Sequence, residues 1–144
     1  MKLKTKKYLN NFIILILVIA LIGIVTYLIL HINDFKTEES YYVDYVQDGD
    51  SFVLKNGEEV RLICVNTPEY GEKGFEEARG YLESLILHKR LTLVKDVSET
   101  DNYGRFLRYV YVGDVFVNKK IVDEGYAEMI EVYPDTKLCG EIGG

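Results

Sequence analysis

Residues 12–32 read FIILILVIALIGIVTYLILHI, a run in which only Gly23, Thr26 and His31 are not apolar. As a helix rising 1.5 Å per residue, its 21 residues span roughly 31 Å, about the thickness of a bilayer's hydrocarbon core. A buried helix of a soluble domain would keep a polar face, which this run lacks. Before it stand Lys2, Lys4, Lys6 and Lys7, and after it Asp34, Lys36, Glu38 and Glu39. Lysine excess marks the cytoplasmic side, so residues 1–11 are expected to form a basic cytoplasmic tail and the part after the run to be exported. A cleaved signal peptide would have a shorter apolar region ending in small residues, and YLILHIND has no such site. The expectation is an uncleaved single-pass anchor over 12–32 in contact with the lipid bilayer of the cell membrane. A polar linker over 33–40 and one extracytoplasmic domain over 41–144 follow.

Charge divides along the same line. The chain carries −6 overall, but residues 1–37 hold +4 and residues 38–144 hold −10. An acidic domain argues against non-specific binding of polyanions, so a nucleic-acid role would rest on local arginines and lysines or on a cation. The cysteines are Cys64, in an apolar strand pattern, and Cys139, in a Gly-rich tail. Export permits a disulfide, while a small buried thiol is the plainer reading of Cys64, and both stay open. The absence of a CxxC pair, with only His31 and His88 as histidines, argues against a zinc site.

The pattern within the domain is of short strands at 41–46, 52–55, 59–65, 91–95 and 105–112, the second and third joined by an Asn56-Gly57 hairpin signal. A helix over 75–87 places Phe75, Ala78, Leu82, Leu85 and Ile86 on one face. A short helix follows at 117–125, with Asn118 as a plausible cap and Gly125 as terminator. Five strands with a helix between the third and fourth make a mainly-β fold with helices and suggest a small, closed, five-stranded barrel of the oligonucleotide-binding (OB) type.

Four clusters fall at strand ends or in loops: DGDS (48–51), VRLICVNTPE (60–69), DNYGR (101–105) and EVY (131–133). Asp48 and Asp50 suit a turn and equally suit a hard cation, although Phe52 and Val53 exclude an EF-hand. Arg61 interrupts an apolar strand, and a buried arginine needs an anionic partner.

Taken together, these motifs resemble the staphylococcal nuclease (thermonuclease-like) family over about residues 41–133. DGDS is similar to its D-G-D-T, VRLICVNTPE to its R-L-x-x-V-D-T-P-E, and TDNYGRFLRYVY to its T-D-x-Y-G-R-x-L-A-Y-V-Y. The resemblance implies Ca²⁺-dependent hydrolysis of DNA and RNA phosphodiesters, by a chain expected to be monomeric. By position, Asp50 would be the direct Ca²⁺ carboxylate, Thr67 would give its backbone carbonyl, and Asp48 would act near the metal through water. Glu69 would orient or deprotonate the attacking water. Arg61 and Arg105 would bind the phosphate, and Tyr103 and Tyr133 would lie beside the nucleotide. Two departures stand out. The family's metal-binding aspartate is replaced by Asn66, which can still offer a carbonyl oxygen but no charge. Glu131 replaces a family tyrosine, and only 11 residues follow Tyr133, where the family continues into a helix. The alternative function is a catalytically impaired module that binds nucleic acid or protein.

Overall fold

The computed structural model describes residues 2–33 and 40–143, with side chains at 12–28 and 40–143. The expected linker lies almost wholly outside the described residues. The chain forms two compact units, Met1–Glu38 and Glu39–Gly144. In the first, α1 (Lys2–Asn33) is one helix, and every side chain from 12 to 28 is exposed. Among the described residues no helix is long and apolar enough to cross a membrane. The anchor expected at 12–32 extends to residues 29–32, whose side chains lie outside that set.

The second unit is mainly β. Its ladders run β1 (Val43–Val46), β2 (Ser51–Leu54), β3 (Glu59–Leu62), β6 (Phe106–Val112) and β5 (Thr92–Val94), in that spatial order. These are the five strands the sequence pattern predicts. β3 and β6 pair in parallel and the other neighbours antiparallel. β7 (Val115–Phe116) adds a short hairpin to β6 after the Gly113 turn. The ladders themselves describe an open path, although reciprocal hydrogen bonds between Tyr41 and Leu91 join its two outer strands at one end. Helix α2 (Phe75–Ile86) buries Ala78, Leu82 and Ile86 at fourfold spacing against a core that includes Phe52, Val60 and Val110. Glu76 and Glu77 in its first turn complement the helix dipole.

The structure corrects the sequence reading in two places. The single strand expected over 59–65 breaks after Leu62. Cys64 takes a left-handed backbone (φ 63°), and the chain resumes as β4 (Val65–Asn66), which pairs instead with β8 (Glu128–Met129). A β-branched run favours a strand, but a residue at positive φ cannot continue one. Asn118 is not a cap. Helix α3 (Val117–Asp123) begins one residue earlier, and Asn118 is fully buried inside it. Its amide accepts from the Val110 N–H (2.8 Å) and donates to the Ile63 carbonyl (2.8 Å), so it satisfies backbone groups freed at the break. Gly125, at φ 77°, does terminate α3, as expected.

After β8 the chain crosses the same region as an irregular strap ending in a 3₁₀ turn, Cys139–Glu141. Cys64 and Cys139 form a disulfide across 75 residues. Asp135 accepts from the Val97 and Ser98 N–H groups, and the Tyr109 hydroxyl accepts from the Leu138 N–H while donating to Asp96.

Two stability outcomes follow, both measurable by urea denaturation of the full chain in detergent micelles. Cross-linking across 75 residues restricts the unfolded chain, so reduction should lower stability by about 4 kcal/mol, and an unchanged midpoint would mean the bond contributes nothing. Asn118→Ala strands a buried N–H and a buried carbonyl, and should cost about 3 kcal/mol.

Candidate active site

The turn at residues 47–51 places Asp50 at the mouth of β2. The Asp48 carboxylate accepts the Asp50 N–H (3.0 Å), a local Asx turn that sets the backbone. Gly49 has a stricter role than turn chemistry. A Cβ there would lie 2.7 Å from both the Ala78 Cβ and the Thr67 Cγ2, so only glycine lets the turn close against α2 and the loop after β4.

Asp50 is nearly buried, and its carboxylate is held on all sides. Oδ2 accepts from the Thr67 N–H and the Thr67 hydroxyl, each at 3.1 Å. Oδ1 accepts from the Ser51 hydroxyl at 2.9 Å and pairs with Arg61. Register explains the pairing: Arg61 on β3 lies opposite Ser51 on β2, the residue after Asp50. Arg61 Nη2 also donates to the Val65 carbonyl (3.3 Å), across the strand break. Its buried Nη1 meets Asp50 as an ion pair without a hydrogen bond of ordinary geometry.

Ser51 extends this group to the second arginine, since its hydroxyl lies 3.3 Å from Arg105 Nη1. Arg105 is held side-on by Asp101, through Nε at 2.8 Å and Nη2 at 2.7 Å. Asp101 also accepts the Tyr103 and Arg105 backbone N–H groups, closing the DNYGR loop on itself around Gly104 at φ 86°. Burial pushes the Asp101 carboxyl up, but these donors outweigh it and hold it below its ordinary value. The Arg105 guanidinium lies 5.4 Å from the centre of the Tyr103 ring. Asp48 goes the other way. Burial first, and the Asp50 charge second, push it up to about 6.

Of the residues singled out in the sequence, Asp48, Asp50, Arg61, Thr67 and Arg105 thus form one connected group, with Tyr103 against Arg105. Asn66 precedes Thr67 on β4, in register with Glu128, and both Asn66 and Thr67 line a cleft of about 320 Å³. Glu69 is exposed two residues beyond Thr67, within roughly 7 Å of backbone. Tyr133 stands 89% exposed on the strap, which contributes Val132 and Asp135 to a smaller apolar pocket of about 140 Å³ beside Arg61 and Asp101. The sequence motifs by themselves give Ser51 and Asp101 no role. The only signal for them is their place inside the DGDS and DNYGR clusters.

Among the described residues no group of three or more His, Cys, Asp or Glu could hold a metal ion. The oxygens present are two carboxylates, Asp48 and Asp50, with the Thr67 carbonyl and Asn66 amide nearby. All are hard donors, and Arg61 alone leaves the two acids under-neutralised. By type these oxygens suit a hard cation and not a soft one, and both Asp50 oxygens are already engaged by Thr67, Ser51 and Arg61. The two guanidiniums offer planar, forked donors of the kind that suit a tetrahedral oxyanion.

Comparison with known proteins shows the family. The family model described as "Staphylococcal nuclease homologue" matches residues 59–140, more than half of the chain. The thermonuclease of Staphylococcus intermedius is 35% identical over 140 aligned residues, covering 84% of this chain and 80% of that protein. The thermonuclease of Staphylococcus hyicus is 33% identical, covering 69% of this chain and 64% of its own length. Endonuclease YncB of Bacillus subtilis (strain 168) is 34% identical, covering 77% of this chain and 58% of its own length. The chain therefore belongs to the staphylococcal nuclease homologue family.

Proposed function

We propose that this protein is a membrane-anchored, exported nuclease that hydrolyses phosphodiester bonds of DNA and RNA with the help of Ca²⁺. The observation that carries the reading is the linkage of Arg61 and Arg105 through Asp50 and Ser51, two residues of backbone away from Glu69 at Thr67. The anchor is argued from the exposed apolar side chains of α1 at 12–28 together with the lysine asymmetry.

In this reading the scissile phosphate lies against the Arg105 guanidinium, whose Nη1 is outside the grip of Asp101 and reaches Ser51 at 3.3 Å, and against Arg61. Both donate to its non-bridging oxygens and gain strength as charge builds there in the transition state. The Glu69 carboxylate holds the attacking water and takes its proton. Asp50, Asp48 and the Asn66 and Thr67 oxygens would hold Ca²⁺, which supplies added positive charge for the phosphate and for the water. Tyr103 packs beside the nucleotide, as does Tyr133 on the strap, and neither requires a particular base. The protein acts as a monomer.

Glu69→Gln and Arg105→Ala should each lower cleavage of single-stranded DNA by more than about a hundredfold while the melting temperature holds. Wild-type rates in both would sink the mechanism. Binding of DNA by the wild-type chain, without turnover at any Ca²⁺ concentration, would point instead to an impaired module that only binds.

The neutral Asn66 amide should make the cation site weak, half-filling only in the millimolar range where extracellular sites operate. Asn66→Asp should move the Ca²⁺ titration of cleavage to lower concentration, by about tenfold, and a chelator should stop both proteins. Because Asp48 keeps its proton up to about 6, protons and Ca²⁺ compete there, and the Ca²⁺ requirement should climb as the pH falls through that value. A Ca²⁺ titration that neither Asn66→Asp nor pH moves would remove Asn66 and Asp48 from the cation site.

A further inference from the structure

We infer that Tyr70 is a substrate-binding residue: its ring stacks on a base of single-stranded nucleic acid on the far side of the scissile phosphate from Tyr103 and Tyr133. The inference rests on the nuclease reading of the same site and adds a second subsite to it.

Among the tyrosines of residues 40–143, three stand apart in exposure, Tyr70 and Tyr103 at 86% and Tyr133 at 89%. The next, Tyr45, is at 51%. An aromatic ring left almost wholly in water gives up the burial that tyrosine ordinarily gains in a fold. Each of the three adjoins the site. Tyr103 is two residues from Arg105, Tyr133 is on the strap beside the Arg61 pocket, and Tyr70 directly follows Glu69.

Tyr70 is also held in place. Residues 69–72 read EYGE and form a turn closed twice. The Glu72 N–H donates to the Glu69 carbonyl (2.9 Å), and the Glu69 N–H donates to the Glu72 carboxylate (2.7 Å). Gly71, at φ 88°, supplies the left-handed third position of a type II turn. Tyr70 occupies the second position, at the tip, and its ring meets Phe75 edge-on, with centroids 5.5 Å apart and planes at 86°. Phe75 is the first residue of α2, so the ring rests on a rigid element while its face stays open. A stacking platform needs that combination, since little side-chain freedom is then lost on binding.

Position gives the direction. The apolar pocket beside Arg61 and Asp101 is lined by Val132 of the strap, next to Tyr133. The cleft lined by Asn66, Thr67, Pro68 and Glu72 is a separate one, joined to Asp50 through the Thr67 hydrogen bonds, and Glu72 closes the turn that carries Tyr70. The two share no lining residue. In this proposal the strand contacts both, so the base beside the 69–72 turn is a different one from that beside Tyr103 and Tyr133. A domain of charge −10 attracts a polyanion poorly at a distance, which leaves direct contact, by the arginines with phosphate and by stacking with bases, as the source of affinity.

The test compares two substrates on the full chain in detergent micelles: an oligothymidylate, and a nitrophenyl ester of a mononucleotide that has no second base. Tyr70→Ala should raise KM for the oligomer about tenfold, a fold-change in the range of one lost base–aromatic stack, and leave kcat and the ester unchanged. Tyr70→Phe should restore the wild-type KM. An unchanged oligomer KM in Tyr70→Ala overturns the inference. So does an equal loss on the ester, which would mean that Tyr70 only supports Glu69. If the wild-type chain cleaves neither substrate, the nuclease reading fails by itself. Fluorescence anisotropy with the labelled oligomer then decides this one: weaker binding by Tyr70→Ala supports it, and equal binding overturns it.

Discussion

The Asp50 carboxylate is the point on which the site depends. It receives Thr67 twice, Ser51 once and the charge of Arg61, and so joins the turn before β2, β3 and the loop after β4. A buried ion pair contributes little unless its remaining lone pairs and protons are satisfied, and removing one partner of a satisfied pair is costly. Here the carboxylate accepts from Thr67 and Ser51 besides taking the charge of Arg61, and Arg61 donates in turn to the Val65 carbonyl. Asp48 shows the cost of the arrangement. Its folded pKa is raised above its unfolded value, so it disfavours the fold once the pH passes from about 4 towards 6 and the carboxyl must ionise beside Asp50. A cation between the two acids would relieve that repulsion.

The hub works only because β3 stops where it does. Had the strand run on through Val65, Asn66 and Thr67 would continue the β3–β6 ladder and could not reach Asp50. The break exposes backbone groups that the fold then satisfies from separate elements: the Ile63 carbonyl by Asn118, the Ile63 N–H by Arg108, and the Cys64 carbonyl by Ile130. The disulfide at Cys64 ties the same point to the strap. The strap is thus held covalently at Cys139, one residue in a 3₁₀ turn. The wall beside Arg61 is thereby built from residues far apart in sequence.

This explains which features were legible in advance. The five main strands, α2 and the end of α3 follow from local alternation, helical spacing and turn residues, and they appear where those signals place them. The break at Ile63–Cys64 opposes its local signal, because the apolar LICV run favours extension and only long-range partners pay for the turn. Asn118 looks like a cap from its neighbours and is recruited by backbone groups 8 and 55 positions away. Gly49 reads as turn chemistry, while its real constraint is the approach of Thr67 and Ala78. Arg61 was recognised as anomalous because a charge in an apolar strand needs an anion wherever that anion comes from. Ser51 carried no such anomaly, and its bridging role depends on register.

The acidity of the domain conflicts with a polyanionic substrate only if long-range attraction has to do the binding. Several of its exposed acids are neutralised where they stand: Glu76 by Arg79, Glu99 by Lys95 and Arg108, Asp123 by Lys119, and Glu124 by Lys120. At the site itself, two guanidiniums sit among Asp48, Asp50 and Asp101, so the field a few ångströms out is weak while the N–H groups remain directional at contact. A site of this kind does not gather substrate from a distance. In the proposed function it would hold a phosphate by geometry and bases by exposed rings, and neither contact is screened as strongly by salt as a basic cleft would be. Weak steering slows capture, but it also lets a cleaved polyanion leave. For a nuclease, that release matters as much as the first encounter.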